Sequence, residues 1–400
     1  MPALERLMNE VGPFPPAMDP ASIDHEADRE SLHELTPVID NAFAMHMKTD
    51  KPWYPHLMVP DVDWLQHHID IQAMGEIRRG NKRDWAPEES PLPLAARVAL
   101  EVGLLTEDNL PGYFRQVETM FGANDSLSQW NRRWAAEESR HSIVMRNLLE
   151  RLDLVDPFQL QDDHMEQMST MDVPDPPSIA DAIIYVTLQE KATMLSHQRT
   201  GMLLEETAKY DNDVYPLDTE GTGLAEPDPD IWRQMKERGI GGRSELVRQV
   251  SRAVMTRVAR DEGRHYGLYG KLGDALFETY PSLAMKAAMR QGILFQMPGK
   301  GIRDFQRRAR IIADSRIYDL RGHREEIVLP VYDERWDIAN LQGLDDEGKR
   351  AQEYTVEFLD FLGREVVRFE AGRDERWAQD PDAVWVGKES SEPSREPALS

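Results

Sequence analysis

Cysteine is absent from the 400 residues of the chain. Its absence excludes disulfide bonds, cysteine nucleophiles, iron–sulfur clusters and zinc sites built on thiolates, because each of these needs a cysteine sulfur. Long apolar runs are absent as well, since no stretch approaches the roughly 18 uninterrupted apolar residues that predict a membrane-spanning helix. The N-terminal stretch MPALERLMNEVGPFPP also lacks the pattern of a signal peptide. We therefore expect a cytoplasmic protein without a membrane span.

Positive charge is in short supply. The chain has 47 Lys and Arg residues against 72 Asp and Glu residues, which gives a formal net charge of −25. Nucleic-acid binding needs a basic face for the phosphates, so this balance argues against it. An acidic protein partner would have to meet a local basic patch. The stretch GKGIRDFQRRARI is the densest candidate, with a solvated helix face as the alternative interpretation. Its basic residues are Lys300, Arg303, Arg307, Arg308 and Arg310.

Runs with the 3.6-residue period of helices fill most of the chain, whereas the alternating pattern of β-strands is scarce. With 40% hydrophobic residues, the chain can bury a large core. The pattern predicts an all-α protein. The predicted helices span about 31–48, 61–78, 91–121, 127–152, 178–205, 243–273, 282–296, 301–318 and 346–371.

Three segments fall outside this main helical pattern. Residues 1–30 are rich in proline and acids, and we expect an extended or mobile N-terminal extension there. Residues 207–242 are crowded with Gly, Pro and Asp and indicate an insertion with at most one short helix. Residues 373–400 indicate a polar tail, whose two tryptophans can still dock. The remaining residues, 31–372, are expected to form one helical domain.

One short pattern, acid-Glu-x-Arg-His, occurs twice on predicted helices, in WAAEESRH and in VARDEGRH. Glu138 and His141 share a helix face that is otherwise apolar, because residues three or four apart lie on one side of a helix. In the second copy His265 lies in an apolar stripe, with Glu262 at its edge. A lone carboxylate buried on such a face would cost several kcal/mol. A bound metal ion would compensate that charge.

A known arrangement matches this pair of motifs. In diiron four-helix bundles, two helices each supply Glu-x-x-His and two further helices each supply one glutamate. The candidates for the single acids are Glu107, Asp108 and Glu101 before the first motif, and Glu190, Glu205 and Glu206 before the second. Glu190 is favoured because its competitors lie where the helix runs out. Four carboxylates and two imidazoles suit two iron ions, with manganese as a chemical alternative.

Further motifs make the chain resemble the soluble acyl-ACP desaturases, the plant stearoyl-ACP type and its actinobacterial relatives. These motifs are KPWYPHLMVPD, LLTEDNLPGY, WAAEESRH, LQEKATMLSH, ARDEGRH, MPGKGI and LQGLDDEGKRAQEY. The resemblance runs from about Trp53 to Glu370. It implies a ferritin-like four-helix bundle that carries a diiron site and is surrounded by additional helices. The ligands that it implies are Glu107, Glu138, His141, Glu190, Glu262 and His265.

The resemblance also implies roles around the metals. Thr193 matches a hydroxyl that assists oxygen activation and proton delivery in the family. A hydroxyl bonded back to its own helical turn is the alternative. Trp53, His141 and Asp261 match the family's path for electrons from the surface to the iron. For Trp53, the alternative is an ordinary core aromatic.

By the same resemblance, the chain is expected to act on a fatty acyl chain attached to acyl carrier protein. It would introduce a cis double bond with dioxygen and with electrons from a reduced ferredoxin, and it would form a homodimer. A flexible alkyl chain needs a narrow apolar tunnel beside the metals. Met120 and Phe121 are candidates for its lining, with ordinary core packing as the alternative.

Two other functions stay open at this point. The same ligands would serve another diiron oxygenase, which hydroxylates or N-oxygenates its substrate. They would also serve a non-catalytic iron-binding homologue. The insertion at 207–242 departs from the plant pattern, and it leaves the substrate and the carrier-binding surface open.

Overall fold

The computed structural model describes residues 3–59, 90–207 without 91, 123 and 153, and 243–379. Every regular element in this part of the chain is helical. The α-helices are α1 Ala3–Glu10, α2 His25–Glu34, α3 Thr36–Thr49, α4 Pro55–Met58, α5 Leu94–Asp108, α6 Leu110–Phe121, α7 Asp125–Arg151, α8 Pro157–Thr170, α9 Ile179–Thr207, α10 Arg243–Thr279, α11 Pro281–Leu294, α12 Phe305–Asp314, α13 Leu320–Gly322 and α14 Asp346–Gln379. Two π-helical segments, His323–Val328 and Pro330–Arg335, lie between α13 and α14.

Four long helices form the centre of the molecule. α5 packs against α7 and α9, and α10 packs against the same two helices, so the four helices close into a ring. α7, α9 and α10 contain 27, 29 and 37 residues. At about 1.5 Å per residue, each is long enough to run the full length of a bundle. The all-α class and the four-helix bundle expected from the sequence are confirmed.

Capping side chains explain where two of the helices near the centre begin. The Asn124 side chain accepts hydrogen bonds from the backbone N–H groups of Ser126 and Leu127 at the start of α7. Asp156 accepts the corresponding bonds at the start of α8. These bonds satisfy N–H groups that the first turn of a helix leaves without partners.

The predicted helix 91–121 is two helices in the structure. α5 ends at Asp108 and α6 begins at Leu110, with Pro111 in the first turn of α6. Proline has no backbone N–H and interrupts the hydrogen-bond ladder of a helix. The break leaves Glu107 in the last turn of α5.

Helices also occur where none was predicted. α8 has the mostly polar sequence PFQLQDDHMEQMST, and its buried residues are Leu160, Asp163 and Gln167. Only one of these three is apolar, so α8 carries little of the hydrophobic period on which helix prediction depends.

The N-terminal segment differs from the expectation of an extended or mobile extension. Residues 3–30 contain α1 and most of α2, and Leu7 and Ala17 are each only 1% exposed. The Asp28 carboxylate accepts the backbone N–H groups of Ile179 and Ala180 at 2.8 and 2.9 Å, which caps the start of α9. The expectation of an extended or mobile segment is therefore wrong for these residues. The sequence pattern did not reveal their order, because few apolar side chains anchor them and buried polar contacts supply the rest.

The C-terminal boundary also lies further along the chain than predicted. α14 continues to Gln379, Arg373 is buried, and Trp377 packs against the core. The predicted docking of that tryptophan is confirmed. Residues 380–400, the predicted helix 61–78 and residues 208–242 lie outside the described part of the chain. Among the helices that the structure describes, none combines the length and the apolarity of a membrane crossing.

Candidate metal centre

The two Glu-x-x-His motifs lie on α7 and α10 and face the interior of the bundle. Glu138 and Glu262 are 6% and 2% exposed, and His141 and His265 are fully buried. The three-residue spacing places each pair on one face of its helix. The face is inward because the rest of each stripe is apolar.

The structure brings the six predicted metal ligands together in two groups. One group consists of Glu107, Glu138, His141 and Glu262, and the other of Glu138, Glu190, Glu262 and His265. Within each group the ligand atoms all lie within 4.8 Å of one another. Glu138 and Glu262 belong to both groups, and we refer to them as the shared carboxylates. Two adjoining donor groups with two carboxylates in common have the form of a two-metal centre.

The competing acids lie elsewhere. Asp108 pairs with Arg146 at 2.6 Å and with His164 at 2.8 Å. Glu101 is paired with a cation of α12, and the exposed Glu205 with one of α10. None of these three carboxylates belongs to either donor group. The side chain of Glu206 lies outside the described residues.

Both imidazole rings are oriented in the same way. His141 Nδ1 lies 3.0 Å and His265 Nδ1 lies 2.8 Å from oxygens of one shared carboxylate. The opposite ring nitrogen of each histidine faces the acid that directly precedes the motif glutamate on the other helix. We refer to these two acids, Glu137 on α7 and Asp261 on α10, as the outer acids. His265 Nε2 lies 3.2 Å from Glu137 Oε2, and His141 Nε2 lies 3.6 Å from Asp261 Oδ2. Each ring therefore presents Nδ1 to the centre.

The buried charges act strongly on one another. Burial raises the pKa of Glu138 and of Glu190, and the neighbouring charge of Glu262 raises both further. Burial also opposes the charged forms of His141 and His265, but the surrounding carboxylates, Glu138 foremost, together outweigh it and raise the pKa of both imidazoles. Burial opposes the charged form of Glu262 as well, but His141 and His265 together outweigh it and lower the pKa of Glu262. Without a metal, protons therefore balance much of the carboxylate charge.

The residues present fit two metal ions. Glu190 Oε2 is buried and has no hydrogen-bond partner, and Glu138 Oε1 and His265 Nδ1 are buried and face each other at 2.8 Å without the geometry of a hydrogen bond. Leaving a buried polar atom unpaired costs about 1–3 kcal/mol, so atoms of this kind at one point indicate ligand positions. Two divalent cations would balance four carboxylates. Carboxylate and imidazole donors suit iron, and manganese accepts them as well.

Two further side chains lie within hydrogen-bond distance of Glu107 and Glu190, the ligands on the helices without a Glu-x-x-His motif. The sequence analysis missed both side chains. His197 Nε2 lies 3.1 Å from Glu107 Oε1, and Trp134 Nε1 donates to Glu190 Oε1 at 3.2 Å. Burial raises the pKa of Glu107, but the neighbouring His141 and the hydrogen bond with His197 together outweigh it and lower that pKa. His197 follows Glu190 by seven residues, or about two helical turns, and this spacing is the signal that could have found it.

Thr193 lies one helical turn after Glu190 on α9, and its hydroxyl bonds within that helix. Its side chain is 6% exposed, and the hydroxyl lies 3.1 Å from the backbone carbonyl oxygens of Gln189 and Glu190. A hydroxyl has one proton to donate, and here that proton is used by the preceding turn. A role for Thr193 in oxygen activation or proton delivery stays a prediction.

Trp53, Asp261 and His141 are in continuous contact. Trp53 Nε1 donates to Asp261 Oδ2 at 2.7 Å, and its ring stacks on His141 at 6.5 Å between centroids. The guanidinium groups of Arg140 and Arg257 lie 5.3 and 5.2 Å from the indole centroid. Burial opposes the charged form of Asp261, but the neighbouring His141 and the hydrogen bond from Trp53 help to lower its pKa to about 2. The role of the three residues in electron transfer stays a prediction.

A small apolar cavity lies beside the centre, between α6 and α9. Its volume is about 40 Å³, and both predicted lining residues, Met120 and Phe121, border it. Val117 and Ala182 add further apolar surface, and Trp134 closes the side that faces Glu190. A hydrocarbon group in this cavity would lie one side chain away from the metal ligands.

Two larger grooves have charged linings that do not suit an alkyl chain. One, of about 700 Å³, is lined by α10 residues that include Arg252, Arg257 and Arg260. The other, of about 290 Å³, contains part of the predicted basic patch. Two of the five cations in that patch are already paired with acids of α8: Arg303 with Glu166 and Arg308 with Asp163, each at 2.6 Å.

Comparison with known families gives a match over most of the chain. The family described as fatty acid desaturase matches residues 27–214 and 244–383. The unmatched residues between these two ranges fall almost entirely within the segment that the sequence analysis predicts to be an insertion.

Individual relatives agree with this match. The Mycobacterium tuberculosis H37Rv protein that carries the name acyl-(acyl-carrier-protein) desaturase DesA1 is 30% identical over 354 residues, which cover 86% of this chain and 89% of the relative. The chloroplastic stearoyl-(acyl-carrier-protein) 9-desaturase of Gossypium hirsutum is 25% identical over 372 residues, covering 86% of this chain and 78% of the relative. The X-ray structure of the M. tuberculosis H37Rv protein named acyl-ACP desaturase DesA2 covers 80% of this chain and 99% of its own, with a TM-score of 0.51. Its sequence is 18% identical, so that likeness concerns the fold alone.

Proposed function

Because the chain belongs to the acyl-ACP desaturase family of oxidoreductases, we propose that it introduces a cis double bond into a fatty acyl chain carried by acyl carrier protein, with dioxygen as the oxidant. The observation that carries the proposal is the pair of donor groups with shared carboxylates, one side chain away from an apolar cavity. The names of the relatives favour desaturation over hydroxylation, N-oxygenation or simple iron storage.

We assign the ligands to two half-sites that share Glu138 and Glu262. Glu107 and His141 complete the His141 half-site, and Glu190 and His265 complete the His265 half-site. When bound, two iron ions would supply the activation of dioxygen that the oxidation requires. The protein's own contribution is to hold the donors in place and to keep water away from them, since all six side chains are buried.

The substrate is held by apolar contact. An alkyl chain offers no polar group to grip, so its affinity grows by about 0.8 kcal/mol for each methylene that is buried. The cavity lined by Val117, Met120 and Ala182 is suited to the distal part of such a chain. The depth to which the chain enters would then determine which two carbons lie beside the metals.

The electrons are proposed to come from a reduced ferredoxin and to pass through Trp53, Asp261 and His141. The support for this path is the hydrogen bond between Trp53 and Asp261 and the stacking of Trp53 on His141. A cytoplasmic location and assembly into a homodimer stay predictions.

Product analysis tests the proposal. The protein is loaded with iron and incubated with dioxygen, ferredoxin, ferredoxin reductase and a panel of acyl carrier proteins, and the released acyl chains are analysed by mass spectrometry. Loss of two hydrogens is the expected change, whereas gain of an oxygen atom would indicate an oxygenase. Conversion of none of the carriers by fully loaded protein would indicate a non-catalytic homologue.

Matched variants connect the product to the centre. Glu138→Ala removes a shared carboxylate and should lower both the iron content and turnover. Glu205→Ala removes a competing acid on α9, which is partly exposed and paired at the surface, and should change neither. Two irons per chain in the Glu138→Ala protein would contradict the ligand assignment.

A further inference from the structure

Each motif glutamate is preceded by an outer acid, Glu137 on α7 and Asp261 on α10, and each outer acid faces the histidine of the other helix. Asp261 belongs to the proposed electron path. Glu137 has no part in the proposed function, although it is only 1% exposed and lies 3.2 Å from His265 Nε2.

Contacts from several directions hold Glu137. Arg133 Nε, one turn earlier on α7, donates to Glu137 Oε1 at 2.5 Å. His46 Nε2, on α3, lies 3.0 Å from Glu137 Oε2. His46 is itself 5% exposed and packs edge-on against Trp130, with 4.7 Å between the ring centroids. A carboxylate fixed in this way cannot turn away from His265 without breaking several contacts.

His46, Glu137 and His265 also have the residue types and the spacing of a metal site. The surroundings argue against a third metal ion there. Arg264 Nη2 lies 2.9 Å from His46 Nε2, and Arg133 already occupies one oxygen of Glu137. A divalent cation among two guanidinium groups at this distance would be strongly repelled. The group is therefore better suited to orient His265 than to bind a metal of its own.

We propose that Glu137 is the positioning residue of His265 and that His46 holds Glu137 in place. By accepting the Nε2–H proton of His265, Glu137 fixes the tautomer in which Nδ1 is free to bind metal. Asp261 lies farther from His141, at 3.6 Å, so the two half-sites are oriented unequally. The inference rests on the proposed metal centre.

Cobalt(II) binding to the metal-free protein tests the proposal, because it measures affinity without turnover. In a Glu107→Ala background the His265 half-site remains, and in a Glu190→Ala background the His141 half-site remains. Adding Glu137→Gln should weaken cobalt binding about 10–100-fold in the first background. In the second background it should leave the affinity close to that of the background protein.

Asp261→Asn is the matched control, and its stronger effect should fall on the His141 half-site. Equal effects of Glu137→Gln on both half-sites would reduce Glu137 to a general structural role, and an unchanged affinity in both would also overturn the proposal. A third cobalt ion per chain that disappears in His46→Leu would show a metal site in place of a positioning device.

Two variants of His46 keep the test decisive if Glu137→Gln does not fold. His46→Gln offers an amide N–H to Glu137 and a carbonyl oxygen to Arg264, and it should retain most of the cobalt affinity of the His265 half-site. His46→Leu removes both polar contacts and should lower that affinity. Circular dichroism verifies the fold of each variant. Because no step needs a substrate, a negative result in the desaturase assay would leave this comparison intact.

Discussion

Enlarging the apolar cavity should shift the preferred acyl chain length. The cavity has a volume of about 40 Å³, and Met120 on α6 is one of the residues that line it. Met120→Ala removes the last three heavy atoms of that side chain and opens room for about two methylene groups. Each methylene buried stabilises the complex by about 0.8 kcal/mol, or close to fourfold in affinity. An acyl chain two carbons longer than the parent's best substrate should therefore gain about 15-fold in relative kcat/KM.

The assay is a competition between two acyl carrier proteins whose chains differ by two carbons, followed by mass spectrometry of both products. Met202→Ala is the matched control, because Met202 lies on α9 and is 58% exposed. Loss of activity on both chains with a lower melting temperature would indicate damage to packing. An unchanged ratio in a stable, active Met120→Ala protein would refute the assignment of the cavity to the substrate.

Three further predictions follow from the site and its surroundings. Trp53→Ala should keep both metals but slow the turnover that ferredoxin drives, and a ferredoxin-driven rate equal to the parent's would contradict the electron path. Metal affinity should rise with pH, because Glu138, Glu190, His141 and His265 have raised pKa values and must release their protons before they bind metal. Isothermal titration in several buffers would count the protons released, up to four per chain. Arg290→Met should destabilise the fold by about 3–5 kcal/mol in urea unfolding, because it leaves the buried Asp181 carboxylate without its cation. The double change Arg290→Met with Asp181→Leu should cost less.

Periodicity was enough to predict the elements that carry the ligands. The Glu-x-x-His spacing fixes two side chains on one helix face, whatever surrounds the helix. Spacing alone could not choose between Glu107 and Asp108. No second ligand on the same helix fixes which direction faces the centre, and adjacent residues differ in direction by only about 100°. The resemblance to a family favoured Glu107, and in the structure Asp108 faces Arg146 and His164 instead.

The residues that contact the metal ligands from outside, such as Glu137 and His46, could not be predicted from helix periodicity. His46 and Glu137 are 91 residues apart in the chain, and no local pattern links them. The order of the segment before residue 31, which contains α1 and most of α2, was likewise hidden, because several of its anchors are polar. Asp28 holds the first turn of α9 through two backbone N–H groups, and a buried acid of this kind looks like a surface residue in the sequence.

The anchoring of the N-terminal segment has a consequence for how the molecule folds. Asp28 accepts a hydrogen bond from Ile179, which is 151 residues later in the chain. The backbone carbonyl of Ala17 accepts one from Arg290, 273 residues later, and Arg6 donates one to Glu365, 359 residues later. Contacts of such high sequence separation form slowly, because a long loop must close before they contribute. During synthesis, the N-terminal residues must therefore wait for α9, α11 and α14 before they can dock. The helix that carries Glu190 receives its N-terminal cap from a segment made long before it.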